Sequence, residues 1–177
     1  MNDRAGELEA AIPSDILDLA WKVLQAAKDG EVMLATAESC TGGLLAALLT
    51  DVSGFGRVFD RGFVSYSDRA KCDLLGIERQ MVDDCGAVSR QVAEAMAKGA
   101  LDRSQADIAV SVTGFAGPGA EDDEEGLVHF ALATRDGALS RREEHFGPIG
   151  RDGVRIAALR VALTMMDESL AEIEIGV

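Results

Sequence analysis

The chain has 177 residues, 47% of them hydrophobic. That is too apolar for an intrinsically disordered chain and suits one domain burying roughly 70% of its unfolded surface. Lys and Arg number 17 against 31 Asp and Glu, a formal net charge of -14. Such a field repels nucleic acid and anionic membrane, so an anionic ligand must be caught by local amides or a few placed cations. No apolar run reaches about 18 residues, so no transmembrane helix is expected. The polar, acidic start from Met1 to Glu7 is unlike a secretory signal. Cys40, Cys72 and Cys85 are odd in number, widely spaced and form no CxxC pair. Neither a disulfide framework nor a thiolate zinc site is expected, and the chain reads as a reduced cytoplasmic protein.

Residues 1–12 read as a tail, 13–170 as a single domain and 171–177 as a second tail. Pro13-Ser14-Asp15 opens a helix, with Ile16, Ala20, Val23 and Ala27 at helical spacing and Gly30 at its end. Val32 to Ala37 reads as a buried strand. The segment Glu38-Ser39-Cys40-Thr41-Gly42-Gly43 breaks it before a helix from Leu44 to Thr50. A second strand spans about Arg61 to Ser65. Ser67 or Asp68 caps a short helix that carries Lys71 and stops at Gly76. Ser89 caps the next helix, whose inner face holds Val92, Met96 and Ala100. Ile108, Val110 and Val112 alternate with Ala109, Ser111 and Thr113 in a third strand. A glycine-rich loop, Gly114 to Gly119, follows. Strands over about Leu127–Thr134 and Leu139–Phe146 meet at Asp136-Gly137, a hairpin signal. A last helix begins near Arg151 and puts Val154, Ala158, Val161 and Met165 on one face. This order predicts a three-layer α/β/α sandwich on a mixed five-stranded sheet.

In open α/β sheets, ligands bind beyond the carboxyl ends of the strands. The turn after the first strand therefore draws attention. A helix N-terminus there presents free amides and a positive dipole end, and Gly42 and Gly43 let backbone approach a ligand. Ser39 stands at the mouth of that nest, either as a nucleophile beside an oxyanion hole or as a phosphate contact. A plain cap and turn accounts for the same residues. Cys40 is a rival nucleophile, with no histidine base nearby in sequence. Lys71 sits near the positive end of its helix dipole, and burial would also favour its neutral amine. A neutral lysine can serve as base toward a serine. A solvated surface lysine fits the pattern equally, as a core residue does for Tyr66, the only tyrosine. The loop from Thr113 through Gly114 and Gly117 opens on the same sheet edge, and lacks the GK[ST] of a phosphate loop. The acids from Glu121 to Glu125 read as a solvated loop rather than a cation site. His129 and His145 lie on the hairpin strands without metal-ligand spacing. Arg151 and Arg155 share a helix face and can clamp a phosphate or carboxylate.

Four blocks together resemble the CinA C-terminal domain family, which includes stand-alone nicotinamide-nucleotide amidases. They are Thr36–Leu44, Gly62–Ser67 with Ala70-Lys71 and Leu74-Leu75-Gly76, Gly86–Ser89 with Val92-Ala93 and Ala95-Met96-Ala97, and Val112–Pro118. The similarity runs over about residues 13–168. It implies a cytoplasmic, homo-oligomeric hydrolase that deamidates nicotinamide mononucleotide in pyridine nucleotide salvage, without catalytic metal or other cofactor. It places the nucleophile on Ser39 and the base on Lys71. Tyr66 and Thr113 fall on motif positions and are assigned supporting roles. Cys40, Thr41, Gly42, Gly43, Gly114, Gly117 and Arg151 are the expected substrate-binding residues. The chain departs from the family pattern in the acidic stretch after Ala120 and at Arg61, where glycine is common. Many members carry a further N-terminal domain, which a chain of this length is not expected to hold. A nucleotide-sensing binding module and an amidase for another small amide are the competing readings. The joint presence of Ser39 and Lys71 favours an enzyme, because a binding module needs the glycines but not that pair.

Overall fold

The computed structural model describes residues 12–120 and 123–175. Its elements, in chain order, are α1 (Ser14–Asp29), β1 (Leu34–Glu38), α2 (Leu44–Asp51), β2 (Phe59–Val64), α3 (Asp68–Leu75) and α4 (Arg79–Cys85). They continue with α5 (Arg90–Asp102), β3 (Ile108–Gly114), β4 (Leu127–Thr134), β5 (Leu139–His145) and α6 (Gly150–Ile175). The five strands form one sheet in the order β2-β1-β3-β4-β5. β1 runs parallel to both β2 and β3, and β4 and β5 pair antiparallel, so the sheet is mixed as expected.

Strand side chains alternate between faces, and here the alternation is also one of size. Leu34, Ile108, Val110, Val112, Phe130 and Leu132 point to one face, against α1, α2 and α6. Ala35, Ala37, Ala109, Ala131 and Ala133 point to the other, against α5 and the ends of α3 and α4. The small face lets α5 lie close enough for Ser111 Oγ to donate to Ala93 O at 2.6 Å. α1 and α6 lie side by side on the large face and are tied by Lys22–Asp167 at 2.6 Å and by Arg160–Asp15.

β1 occupies the position from which the chain departs in both directions. It leads to β2 on one side through α2, and β3 on the other side is reached through α5. A crevice at the carboxyl ends of β1 and β3 follows from that topology. The same parity that sends Ala35 and Ala37 toward α5 sends Ser39 that way, while Glu38 turns toward α2.

Several elements differ from the sequence expectation. β1 and β2 begin two residues later and earlier, at Leu34 and Phe59. α4 has no sequence counterpart: it is short, buries only Val82 and has no side-chain cap. Ser67, rather than Asp68, caps α3, accepting from Ala70 N at 3.1 Å. α6 continues through Ile175, past the expected end of the domain at 170. The expected tail over 1–12 lies outside the described residues except for Ile12.

One close approach fixes where α3 sits. A β-carbon at Gly99 of α5 would lie 2.2 Å from the Leu75 carbonyl oxygen at the end of α3. Gly99→Ala is therefore expected to destabilise by about 1–2 kcal/mol, because overpacking against backbone outweighs the helix propensity that alanine gains. Gly56→Ala, where a β-carbon meets nothing within 4 Å, should change stability by less than about 0.5 kcal/mol. Urea unfolding of both variants checks this, and equal midpoints would contradict it.

Candidate active site

The turn after β1 is held from within by Glu38. Its carboxylate is buried and accepts from Gly43 N at 3.1 Å, Leu45 N at 3.0 Å and Ala46 N at 2.8 Å, with Thr36 Oγ1 at 3.3 Å. A carboxylate at a helix N-terminus satisfies amides that have no intrahelical partner and opposes the dipole charge. Gly42 and Gly43, with φ of 65° and 94°, take a left-handed backbone that other residues rarely adopt. Ser39 N donates to Val112 O at 2.9 Å, which fixes the first residue of the turn to the end of β3. Ser39 itself is buried.

Lys71 comes to Ser39 from α3. It is 1% exposed, and its Nζ lies 3.0 Å from Ser39 Oγ. Nζ also donates to Ser65 O at 3.0 Å and Tyr66 O at 3.3 Å. No carboxylate lies within salt-bridge distance of it among the described residues. Burial holds the amine below its ordinary value of 10.5, with Asp68 opposing the shift at longer range. Its three oxygen neighbours match the three N–H bonds of an ammonium, and a neutral amine fits the same contacts. Carbonyls can only accept, so the two N–H bonds of an –NH2 group go to Ser65 O and Tyr66 O. The lone pair is then left for the Ser39 hydroxyl proton. Cys40 is a poor rival, since burial pushes its thiol up to about 11.

Ser39, Cys40, Tyr66, Lys71, Thr113, Gly114, Gly117 and Arg151 line one cavity of about 250 Å³. Thr41, Gly42 and Gly43, grouped with them in the sequence reading, line a separate cavity with Asp152 and Arg155. The reason is Glu38: it occupies the Gly43 amide and draws the second half of the turn toward α2. The Gly42 amide donates to Ser39 O at 3.1 Å. Cys40 and Thr41 retain main-chain amides with no oxygen acceptor among the described residues.

Thr113 is fully buried, and its Oγ1 donates to Ala87 O at 2.8 Å. It thereby anchors a loop that contributes Ala87 and Val88 to the cavity wall, residues of the third motif block to which the sequence reading gave no place in the site. Tyr66 stands at the mouth, 64% exposed rather than in the core. The glycine-rich loop is closed at its base by Phe115 N to Leu127 O at 2.9 Å and Gly126 N to Phe115 O at 2.8 Å. A β-carbon at Gly117 would lie 3.4 Å from Arg151 Nη2, so the guanidinium rests against that loop. Two of the acids that follow are engaged elsewhere. Asp123 Oδ2 accepts from Ala120 N at 2.8 Å, and Glu124 Oε1 lies 2.6 Å from His145 Nδ1. Glu124, with Glu143, raises the His145 imidazole above its ordinary value.

A mixed-sheet α/β/α sandwich with a serine–lysine pair buried at its carboxyl edge is the class these features define. The chain belongs to the CinA C-terminal domain family, whose model matches residues 17–170. The nicotinamide-nucleotide amidohydrolase PncC of Escherichia coli K12 is 44% identical over 153 residues, covering 85% of this chain and 92% of that protein. A CinA-like protein of Mycolicibacterium gilvum is 46% identical over 140 residues, covering 78% of this chain but 33% of that longer protein. The crystal structure of the competence/damage inducible protein CihA from Agrobacterium tumefaciens superposes with a TM-score of 0.86. It is 46% identical, and the match covers 90% of this chain and 98% of that one.

The buried amine has a stability consequence. Between the lowered value of Lys71 and 10.5, the unfolded chain binds a proton that the folded chain does not, so folding stability rises with pH across that window. Below the window the folded state must bury a charge. Lys71→Met is therefore expected to be more stable than wild type at pH 7, with the gap shrinking as pH rises toward 10.5. Denaturant midpoints at a series of pH values measure it, and a gap that is constant or widens with pH would contradict it.

Proposed function

We propose that the chain is an amidase that converts nicotinamide mononucleotide to nicotinate mononucleotide and ammonia through Ser39 and Lys71. The observation that carries the reading is the 3.0 Å contact between Lys71 Nζ and Ser39 Oγ, in a burial that favours the free amine. The name of the Escherichia coli relative supports the substrate.

The Lys71 lone pair takes the Ser39 hydroxyl proton as Oγ attacks the carboxamide carbon. The oxyanion that forms on the carboxamide oxygen needs donors, and the free Cys40 and Thr41 amides supply them. The Lys71 ammonium returns its proton to the departing amide nitrogen, which leaves as ammonia. Water, deprotonated by the same amine, attacks the acyl ester, and Ser39 leaves with that proton. Arg151, against the glycine-rich loop, holds the substrate phosphate as a charge-assisted pair. Thr113 keeps the Ala87 loop in place, and Tyr66 borders the entrance. The reading carries with it a cytoplasmic, homo-oligomeric enzyme of pyridine nucleotide salvage.

Ammonia release from nicotinamide mononucleotide tests it. Ser39→Ala and Lys71→Met are each expected to lower kcat at least about 1,000-fold, as removing a nucleophile or its base does elsewhere. The acidic limb of kcat/KM should fall at the titration of Lys71, below the ordinary lysine value of 10.5. EDTA should leave turnover unchanged. Turnover that survives Ser39→Ala, or that EDTA abolishes, would contradict the mechanism.

A further inference from the structure

The peptide carbonyls of the turn that follows Ser39 are held in two different ways. Ser39 O accepts from Gly42 N at 3.1 Å, Thr41 O from Leu44 N at 3.2 Å and Gly43 O from Ala47 N at 2.9 Å. These are local bonds of a turn running into a helix. Cys40 O is held instead from far along the chain, by Arg155 Nε of α6 at 2.9 Å. Arg155 is half-buried and lies against the same turn: a β-carbon at Gly42 would be 3.5 Å from its Nη2. Its neighbours Val154 and Ala158 are fully buried, so the guanidinium is offered from a helix locked into the core.

The atom that Arg155 holds matters because a peptide unit is planar and trans. Cys40 C=O and Thr41 N–H belong to one such unit and point in opposite directions. Holding the oxygen on the Arg155 side therefore fixes the direction of the Thr41 amide. That amide and the Cys40 amide are the two in the turn without an oxygen acceptor among the described residues. Arg151, one helical turn earlier, lines the Ser39 cavity, whereas Arg155 lines the cavity behind the turn. Two arginines on one helix face thus have different places: one faces the reaction space, the other braces its wall.

We propose that Arg155 is a positioning residue for the reaction, orienting the Cys40–Thr41 peptide so that the Thr41 amide, which points away from Arg155, is aimed at the developing oxyanion. This rests on the amidase reading above. Arg155 touches neither substrate nor the reacting atoms and acts through the backbone. Its loss therefore acts on the transition state, where the negative charge appears, and leaves ground-state binding nearly untouched.

Steady-state ammonia release by Arg155→Met, Arg155→Lys and Arg155→Ala tests it, with thermal melting of each variant. Arg155→Met is expected to lower kcat by about 10–100-fold, somewhat less than outright loss of an oxyanion donor, because the peptide still samples the right orientation. KM should stay within about threefold of wild type. Arg155→Lys, which keeps one donor, should fall between. Methylguanidinium added to Arg155→Ala should restore part of kcat by replacing the lost donor to Cys40 O, which a purely structural defect would not allow. Several results would overturn the proposal. They are a raised KM with kcat intact, which makes Arg155 a substrate anion ligand; unchanged kcat; or a kcat loss in Arg155→Ala that guanidinium does not restore. An inactive wild type would instead remove the amidase reading, and this inference with it.

Discussion

An amine buried among neutral oxygens cannot comfortably keep its proton, and the site is arranged around that constraint. Lys71 Nζ has Ser39 Oγ and two backbone carbonyls for neighbours and, among the described residues, no ion pair. Desolvating an ammonium without a carboxylate costs far more than desolvating an amine. The fold sustains this by packing. α3 is set at its start by the Ser67 cap and at its end by the close crossing over Gly99, so the lysine cannot swing out toward water without moving a helix. That crossing is possible because the sheet face below is made of alanines. The small residues of the second core layer and the chemistry of the first cavity are thus linked through the depth at which α5 lies.

The turn after β1 shows a second division of labour. Its two halves are pulled to opposite sides. Glu38 takes the Gly43, Leu45 and Ala46 amides toward α2, and the Lys71 side takes Ser39. A negative charge so near a nucleophile would be unhelpful if it faced the reaction space. Here it is spent on helix amides, with its lone pairs used. What remains open toward Ser39 is neutral backbone, which can answer a charge that forms only during reaction. The acidic loop behaves comparably: Asp123 and Glu124 are tied to Ala120 N and His145, and neither carboxylate lines the cavity.

Much of this was legible from residues alone, for physical reasons. The alternation in β3 of Ile108, Val110 and Val112 with Ala109, Ser111 and Thr113 is a period-2 signal that only a sheet between unequal layers uses in full. Of the helices that emerged at their expected places, α1 and α5 carry clear starts and apolar stripes, and α2 and α3 are bounded by glycines and the Ser67 cap. α4 has neither a clear start nor an apolar stripe, and its stabilisation comes from its neighbours rather than from its own sequence. α6 runs on through Ile175, into the stretch expected as a C-terminal tail, where Ala171-Glu172-Ile173-Glu174-Ile175 carries no helical apolar stripe. In the site, Ser39, Lys71 and the glycine-rich loop were found through motif and sheet-edge topology. The depth of Lys71 was not, since a lysine in an eight-residue helix has the pattern of a surface residue. Nor was the Glu38 cap, although an acid at a helix start was a usable signal. Its consequence, that Gly42 and Gly43 face away from Ser39, depends on the direction of hydrogen bonds that spacing does not encode.

The account stands on the protonation of one side chain, and the chain has only four lysines: Lys22, Lys28, Lys71 and Lys98. Titration of the lysine Nζ and Cε resonances in protein labelled with ¹⁵N,¹³C-lysine, with Lys71 assigned by its absence in Lys71→Met, measures it directly. The account predicts that Lys71 loses its proton clearly below the ordinary value of 10.5. Titration of Lys71 at or above 10.5 would contradict it.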